Sequence, residues 1–238
     1  MTDEAPVLGV LQLMNTPVDI PGSMGHPGSY TAPVRFLQVP GAWTSNVVGA
    51  GADVLQSYID CARRLEAEGV AALVANCGFT ARFQKDVAAA VSVPVALSSL
   101  LLVPFAARLL PAGAKLGMAT YDSNVLGEVH FNGAGWSRDE LPVEVVGIEG
   151  SEAWHRMADP DTKLTREMVE RDVIAALRGL IERHPEIGSV VLECSAFPLA
   201  ADAVRRAFGL PVVDFLTLAN MVIASVHARD PRVAAAAE

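Results

Sequence analysis

The sequence predicts an α/β protein built from two similar halves, each a small parallel sheet flanked by helices, with a cleft between them. Three observations predict it. Short β-branched or apolar runs alternate with longer segments of helical period, the pattern of β-α-β units. Part of the first half recurs in the second: VAALVANC at 70–77 lies over IGSVVLEC at 187–194, and Val93-Pro94-Val95 over Leu210-Pro211-Val212. No gap is needed, so Cys77 and Cys194, like Pro94 and Pro211, stand 117 positions apart. Finally, hydrophobic residues make up 51% and charged residues 19% of the chain. With alanine, valine and leucine prominent, that suits parallel strands covered by alanine-rich helices.

Strands are expected at 7–13, 71–75, 94–97, 115–120, 143–148, 189–192 and 212–215. The helical segment 55–68 places Leu55, Ile59, Ala62 and Leu65 on one face, and 165–183 turns Met168, Val169, Ile174, Leu177 and Leu180 inward. Leu8-Gly9-Val10 matches Leu116-Gly117-Met118 at an offset of 108, so the halves differ by an insertion or deletion. The expected lobes are 1–97 with 212–238 returning to it, and 98–211. The first strand is followed by an irregular Pro/Gly-rich segment, 16–33. Loops of that length are commonly functional, and a lid or substrate-shaping loop carrying His26 fits. The tail 228–238 reads as frayed.

The 238 residues carry a formal net charge of -9 and no basic run. That argues against a nucleic-acid partner, which needs clustered Lys and Arg. The N-terminus lacks a signal-peptide pattern, and no apolar stretch reaches the roughly 18–20 residues of a membrane helix. A cytosolic enzyme without membrane contact is expected, and a homodimer by base rate. Three cysteines, an odd number, argue against a disulfide framework there, and none stands at metal-clip spacing. His26, His130, His155, His184 and His227 lack zinc-site spacing, the Gly49–Gly51 run lacks a dinucleotide fingerprint, and no phosphate-binding glycine loop is present. No cofactor and no metal are expected.

Each of Cys77 and Cys194 follows a buried strand and opens a helical turn. In open parallel sheets that carboxyl edge is where ligands bind. Two such halves packed face to face place the thiols on opposite walls of one cleft. A thiolate can take the proton from a carbon beside a carboxylate, and free N–H groups at a turn would hold the carboxylate and lower the thiol pKa. Cys61, mid-helix and without a repeat partner, reads as packing. Asn15 ends the first strand, and Thr120, Tyr121 and Asp122 end its counterpart; these could face the cleft floor. Ser98 and Ser99 could donate to a carboxylate. Glu193 precedes Cys194 as Asn76 precedes Cys77. A carboxylate there would raise a thiol's pKa, so Glu193 is either turned away or an acid–base partner.

At Asn76-Cys77-Gly78-Phe79, Ser98-Ser99-Leu100 and Leu192-Glu193-Cys194-Ser195 the chain resembles the aspartate/glutamate racemase superfamily. The resemblance implies two pseudo-symmetric flavodoxin-like lobes, each a four-stranded parallel sheet. It also implies substrate contacts from Asn76, Gly78, Phe79, Ser195 and Ala196 beside the two cysteines. The segments 21–27 and 77–84 resemble a racemase-like branch similar to the algal dimethylsulfoniopropionate lyases. Amino-acid racemases carry Asn-Thr and Thr-His after their cysteines; here Gly78-Phe79 and Ser195-Ala196 stand there, which argues against glutamate or aspartate as the substrate. The leading expectation is a racemase or epimerase of a small, amino-acid-like carboxylic acid, with Cys77 and Cys194 as its two bases. The alternative is a lyase of the dimethylsulfoniopropionate type, or a related decarboxylase or cis-trans isomerase.

Overall fold

The computed structural model describes residues 5–15, 18–49, 53–141, 143–159 and 163–226. The expected frayed tail, His227, residues 16–17 of the loop and residues 50–52 lie outside them. In chain order the strands are β1 (Leu8–Gln12), β2 (Val34–Gln38), β3 (Ala72–Ala75), β4 (Val95–Ala96), β5 (Lys115–Thr120), β6 (Val143–Gly147), β7 (Ile187–Leu192) and β8 (Val212–Val213). The helices are α1 (Thr44–Val47), α2 (Leu55–Ala67), α3 (Gln84–Ala89), α4 (Val103–Arg108), α5 (Glu128–Gly133), α6 (Glu152–Ala158), α7 (Arg166–Arg183), α8 (Ala201–Phe208) and α9 (Phe215–Val226). They form two parallel four-stranded sheets of the same order, β2-β1-β3-β4 and β6-β5-β7-β8.

The sequence repeat is a repeat of hydrogen-bond register. Leu73 pairs with Val95 and Val190 with Val212, each partner shifted by the same interval. Leu8 pairs with Ala72, and Leu116 with Ser189. Identical register places Cys77 and Cys194 at equivalent points, each two residues beyond its strand, in the two sheets. Apart from Gln12 and Ser189, the central strands β1, β3 and β7 read as apolar runs, LGVLQ and ALVA in the first sheet and IGSVVL in the second, as sheets covered on both faces require.

One strand escaped the sequence reading. VRFLQ of β2 lies at the sheet edge, where Arg35 and Gln38 are exposed. Arg35 binds Glu68 at the end of α2. In α2 the buried face is Tyr58, Cys61, Ala62 and Leu65, while Leu55 and Ile59 are half-buried. The Tyr58 ring packs on Phe83, 5.3 Å away, and draws the helix round. Cys61 faces the edge strand, 3.9 Å from the Gln38 carbonyl, as a packing residue. In α7, Val169, Val173, Leu177 and Leu180 are buried, whereas Met168 and Ile174 are half-buried.

The lobes exchange their closing helices. After β4 the chain crosses over, and α4 packs against β5 of the second sheet. After β8 it crosses back, and α9 packs against β3 and β4. Because β8 pairs with β7, residues 212–213 stay in the second sheet, and the return begins at Phe215 rather than at 212. Among the described residues no helix is long and apolar enough to cross a membrane.

The long segment after β1 is a strap docked across the lobes. Ser23 Oγ donates to the Val18 carbonyl, Gly22 N–H to Ser29 Oγ (2.8 Å), and Tyr30 Oη to the Met24 carbonyl (2.7 Å). Gly22 holds φ at +99°, which suits a residue without Cβ. His26 Nδ1 accepts from Gly28 N–H within the strap. Met24 is fully buried, and its N–H donates to the Ser195 carbonyl (3.1 Å). Arg166, at the start of α7, donates to the carbonyls of Pro21 and Leu199. Arg166→Ala is expected to release the strap and to destabilise the fold by about 1–3 kcal/mol, since hydrogen bonds from a charged donor are lost. Limited proteolysis should then cut within 18–30, and KM should rise more than kcat falls.

Candidate active site

One pocket opens between the lobes, with a volume of about 600 Å³ counted to its open mouth. The loops after β1, β3, β5 and β7 converge on it, so both sheets present their carboxyl edges as open parallel sheets do. Cys77 and Cys194 both line it. Each stands two residues beyond its strand, after Asn76 or Glu193, and both are free thiols. Cys77 is the extended residue that starts the 3-10 turn Gly78–Phe83, and Cys194 precedes the turn Phe197–Ala200.

Asn15, Asn76, Gly78, Phe79, Tyr121, Glu193, Ser195 and Ala196 join them in the lining. The two asparagines are oriented by the backbone. Asn76 Oδ1 accepts from Leu13 N–H at 2.9 Å, and Asn15 Oδ1 accepts from Thr44 N–H at 2.7 Å. With each carbonyl engaged, the NH₂ groups are left as donors for a ligand. The Tyr121 ring stacks on Trp154 of α6 at 5.7 Å, and its hydroxyl donates to the Trp154 carbonyl.

Ser98, Ser99 and Thr120 lie behind this lining rather than in it. All three are fully buried. Ser98 Oγ accepts from Leu100 N–H and caps the turn Ser99–Leu102. Ser99 Oγ reaches the carbonyls of Leu192 and Glu193, which ties that turn to the end of β7. Thr120 Oγ1 donates to Glu193 Oε2 at 2.8 Å. These hydroxyls are spent on the backbone and on Glu193 and are not free for a substrate carboxylate. Asp122 instead accepts from the Asn124 N–H in a local turn.

Sequence reasoning missed Leu13, Val18, Thr44, Val48 and Met157 in the lining. Val18 belongs to the strap, Thr44 and Val48 to α1 and its end, and Met157 to α6. Met157 Sδ sits 4.0 Å from Cys194 Sγ. None lies in a repeated motif, so only the fold brings them in. Among the described lining residues there is no lysine, arginine or histidine.

The thiols are not lowered. Burial, then the neighbouring Glu193 carboxylate, pushes Cys77 up to about 12. The N–H groups of Phe79 and Thr80, and Arg82, pull the other way and lose. Burial and Glu193 likewise raise Cys194, against the Ala196 N–H and the Ser195 hydroxyl. The expectation that turn N–H groups would lower both thiols is therefore overturned: stripping water from a buried thiolate outweighs two backbone dipoles.

Glu193 is not turned away from the thiols. It is fully buried, and burial pushes its carboxyl up to about 7 despite the Thr120 hydroxyl and the Tyr121 N–H. A raised value in the folded state means stability held below the ordinary range and lost as the pH climbs from about 4.5 to about 7. Glu193→Gln should therefore melt higher than the wild type above neutral pH. The gap should close toward acid, as thermal melts across pH will show.

A family profile described as Asp/Glu/Hydantoin racemase matches residues 39–221. A dimethylsulfoniopropionate lyase of Durusdinium sp. clade D is 31% identical over 225 residues, covering 91% of this chain and 73% of that protein. Dimethylsulfoniopropionate lyase 3 of Emiliania huxleyi (strain CCMP1516) is 29% identical over 231 residues, covering 93% of this chain; the chain spans 60% of that relative's length. In structure, unliganded arylmalonate decarboxylase superposes with a TM-score of 0.58 at 17% identity, covering 93% of this chain and 92% of the other. A glutamate racemase from Bacillus anthracis superposes at 0.56 and 15%, covering 93% and 81%. Two parallel four-stranded sheets in this arrangement are the fold these enzymes share. The profile spans most of the chain, and the Durusdinium relative matches 91% of this chain and 73% of its own length: this chain belongs to the Asp/Glu/Hydantoin racemase family.

Proposed function

We propose that this protein is a cofactor-independent lyase of the dimethylsulfoniopropionate type. The observation that carries the chemistry is a pair of buried thiols, one from each lobe, lining a single pocket without cationic side chains among its described residues. What directs the reading to elimination is the relatives of 27–31% identity, which are named dimethylsulfoniopropionate lyases. In this reading Asn15 and Asn76 hold the substrate carboxylate, and Cys77 or Cys194, as thiolate, takes the adjacent α-proton. The C–H electron pair becomes the new double bond. The β-carbon–sulfur bond breaks toward sulfur, releasing dimethyl sulfide and leaving acrylate. The net-neutral zwitterion suits a pocket in which a thiolate must form and no cationic side chain stands among the described lining residues. Incubation with the sulfonium substrate should yield dimethyl sulfide in the headspace and acrylate in solution in equal amounts.

Racemisation is the second reading, favoured by one observation: the two thiols occupy register-matched positions in a duplicated fold. Exchange of an α-proton for solvent deuterium with inversion of a chiral acid, and no volatile sulfide, would establish it in place of the first.

A further inference from the structure

Glu193 is the chemically conspicuous group that this reading leaves unused. Its carboxyl is fully buried and acts on both thiols. Oε2 accepts from Thr120 Oγ1, and the Tyr121 N–H also faces the carboxyl. Oε1 has no hydrogen-bond partner. It is pressed against Gly78: a Cβ built on that glycine would come within 1.9 Å of Oε1 and 2.6 Å of the Glu193 carbonyl. Gly78 heads the turn beside Cys77 and lines the pocket. An ionised carboxylate needs donors on both oxygens when it is buried. Here one oxygen has a donor and the other has none, which disfavours the ionised form and leaves Oε1 available to carry a proton for an incoming acceptor.

We propose that Glu193 serves as a protonated carboxylic acid whose Oε1–H donates a hydrogen bond to the carboxylate of a bound substrate. It thereby supplies the pocket, which lacks cationic side chains among its described residues, with a donor that strengthens as charge develops on that carboxylate. The proposal rests on the carboxylate-substrate reading above. The proton stays on the acid throughout; no bond is made or broken at Glu193. A neutral acid in a low-dielectric site gives up no net charge and is repaid most when the bound carboxylate becomes enolate-like. Asn15 and Asn76 then hold the substrate from the first lobe, and Glu193 from the second.

The pH window for a test is clean. Glu193 turns over at about 7. Of the groups that face it, Cys77 and Tyr121 are pushed to about 12 and Cys194 is raised too. Thr120 and Ser99 do not titrate. Arg82 acts on Cys77, Asp122 acts on Tyr121, and His130, at the edge of the Phe79 ring, is depressed to about 4. Burial outweighs the other influences on each of these shifted groups.

The experiment is calorimetric binding of 3-(methylthio)propionate, a carboxylate without a good leaving group, between about pH 6 and 9 in buffers of differing ionisation heat. Above neutral pH the wild type should take up close to one proton on binding, and its affinity should fall about tenfold per pH unit. Glu193→Gln should bind without proton uptake and with a flat pH profile. Binding that leaves the wild-type proton count unchanged, or releases a proton, overturns the proposal. Should the variant not fold, the wild-type proton count decides alone, backed by the infrared band of a protonated carboxyl. Failure here is separable from failure of the lyase reading. Dimethyl sulfide release without proton linkage rejects only the role of Glu193, and proton uptake without dimethyl sulfide rejects only the lyase.

Discussion

Replacing either Cys77 or Cys194 with serine is expected to lower dimethyl sulfide release by about a hundred- to ten-thousand-fold, the usual contribution of a positioned acid or base. The fold should not suffer. Both thiols rest in their neutral form because burial opposes ionisation, and a hydroxyl is smaller than the thiol it replaces. Circular dichroism and thermal melts should match the wild type. The two variants should nonetheless differ in kind. The one that removes the thiolate taking the α-proton should also lose exchange of that proton with deuterated solvent. The other should keep slow exchange. Full activity in both variants would reject thiol chemistry altogether.

Gly78→Ala is expected to do nearly as much damage without touching a thiol. The added methyl would lie 1.9 Å from Glu193 Oε1 and 2.6 Å from the Glu193 carbonyl oxygen. The carboxyl has no room to retreat, since Thr120 holds Oε2 and Ser99 holds the backbone beside it. Either the turn carrying Cys77 or the end of β7 must shift. Overpacking of this kind costs about 1–3 kcal/mol of stability, and displacement of a catalytic group by about an ångström costs roughly a hundredfold in rate. Gly179 in α7 is the contrast: the nearest atom to its added methyl is the flexible end of Arg183 at 3.4 Å. Gly179→Ala should stabilise by about 0.5–1 kcal/mol with activity intact, because it raises helix propensity. A Gly78→Ala enzyme with wild-type turnover would show that Glu193 has freedom the packing denies it.

The parts of the fold that were legible are those that repeat. The alignment of 70–77 with 187–194 located both thiols, and the structure converts it into identical strand register. The edge strand β2 was illegible because VRFLQ alternates weakly, is half-exposed and follows a Pro/Gly segment that masks its start. The site was legible where it follows a strand end, as at Asn15, Asn76 and Tyr121. It was illegible where the wall comes from elsewhere, as with Thr44, Val48 and Met157. Ser98, Ser99 and Thr120 were misplaced for a common reason: a serine or threonine near a pocket is as readily used to satisfy buried backbone and carboxyl groups. The electrostatics were beyond reach of sequence, since two adjacent N–H groups are visible in a motif but the depth at which they are buried is not.

The reciprocal placement of α4 and α9 has a consequence for how such a molecule can be divided or assembled. A fragment ending before Phe215 leaves the hydrophobic surface of β3 and β4 bare where Phe215, Leu218, Ala219 and Ile223 belong. A fragment beginning after Arg108 deprives β5 of the helix that packs on it. Each lobe is covered by a helix that follows the other lobe's last strand, so either half expressed alone is expected to expose apolar surface and to aggregate.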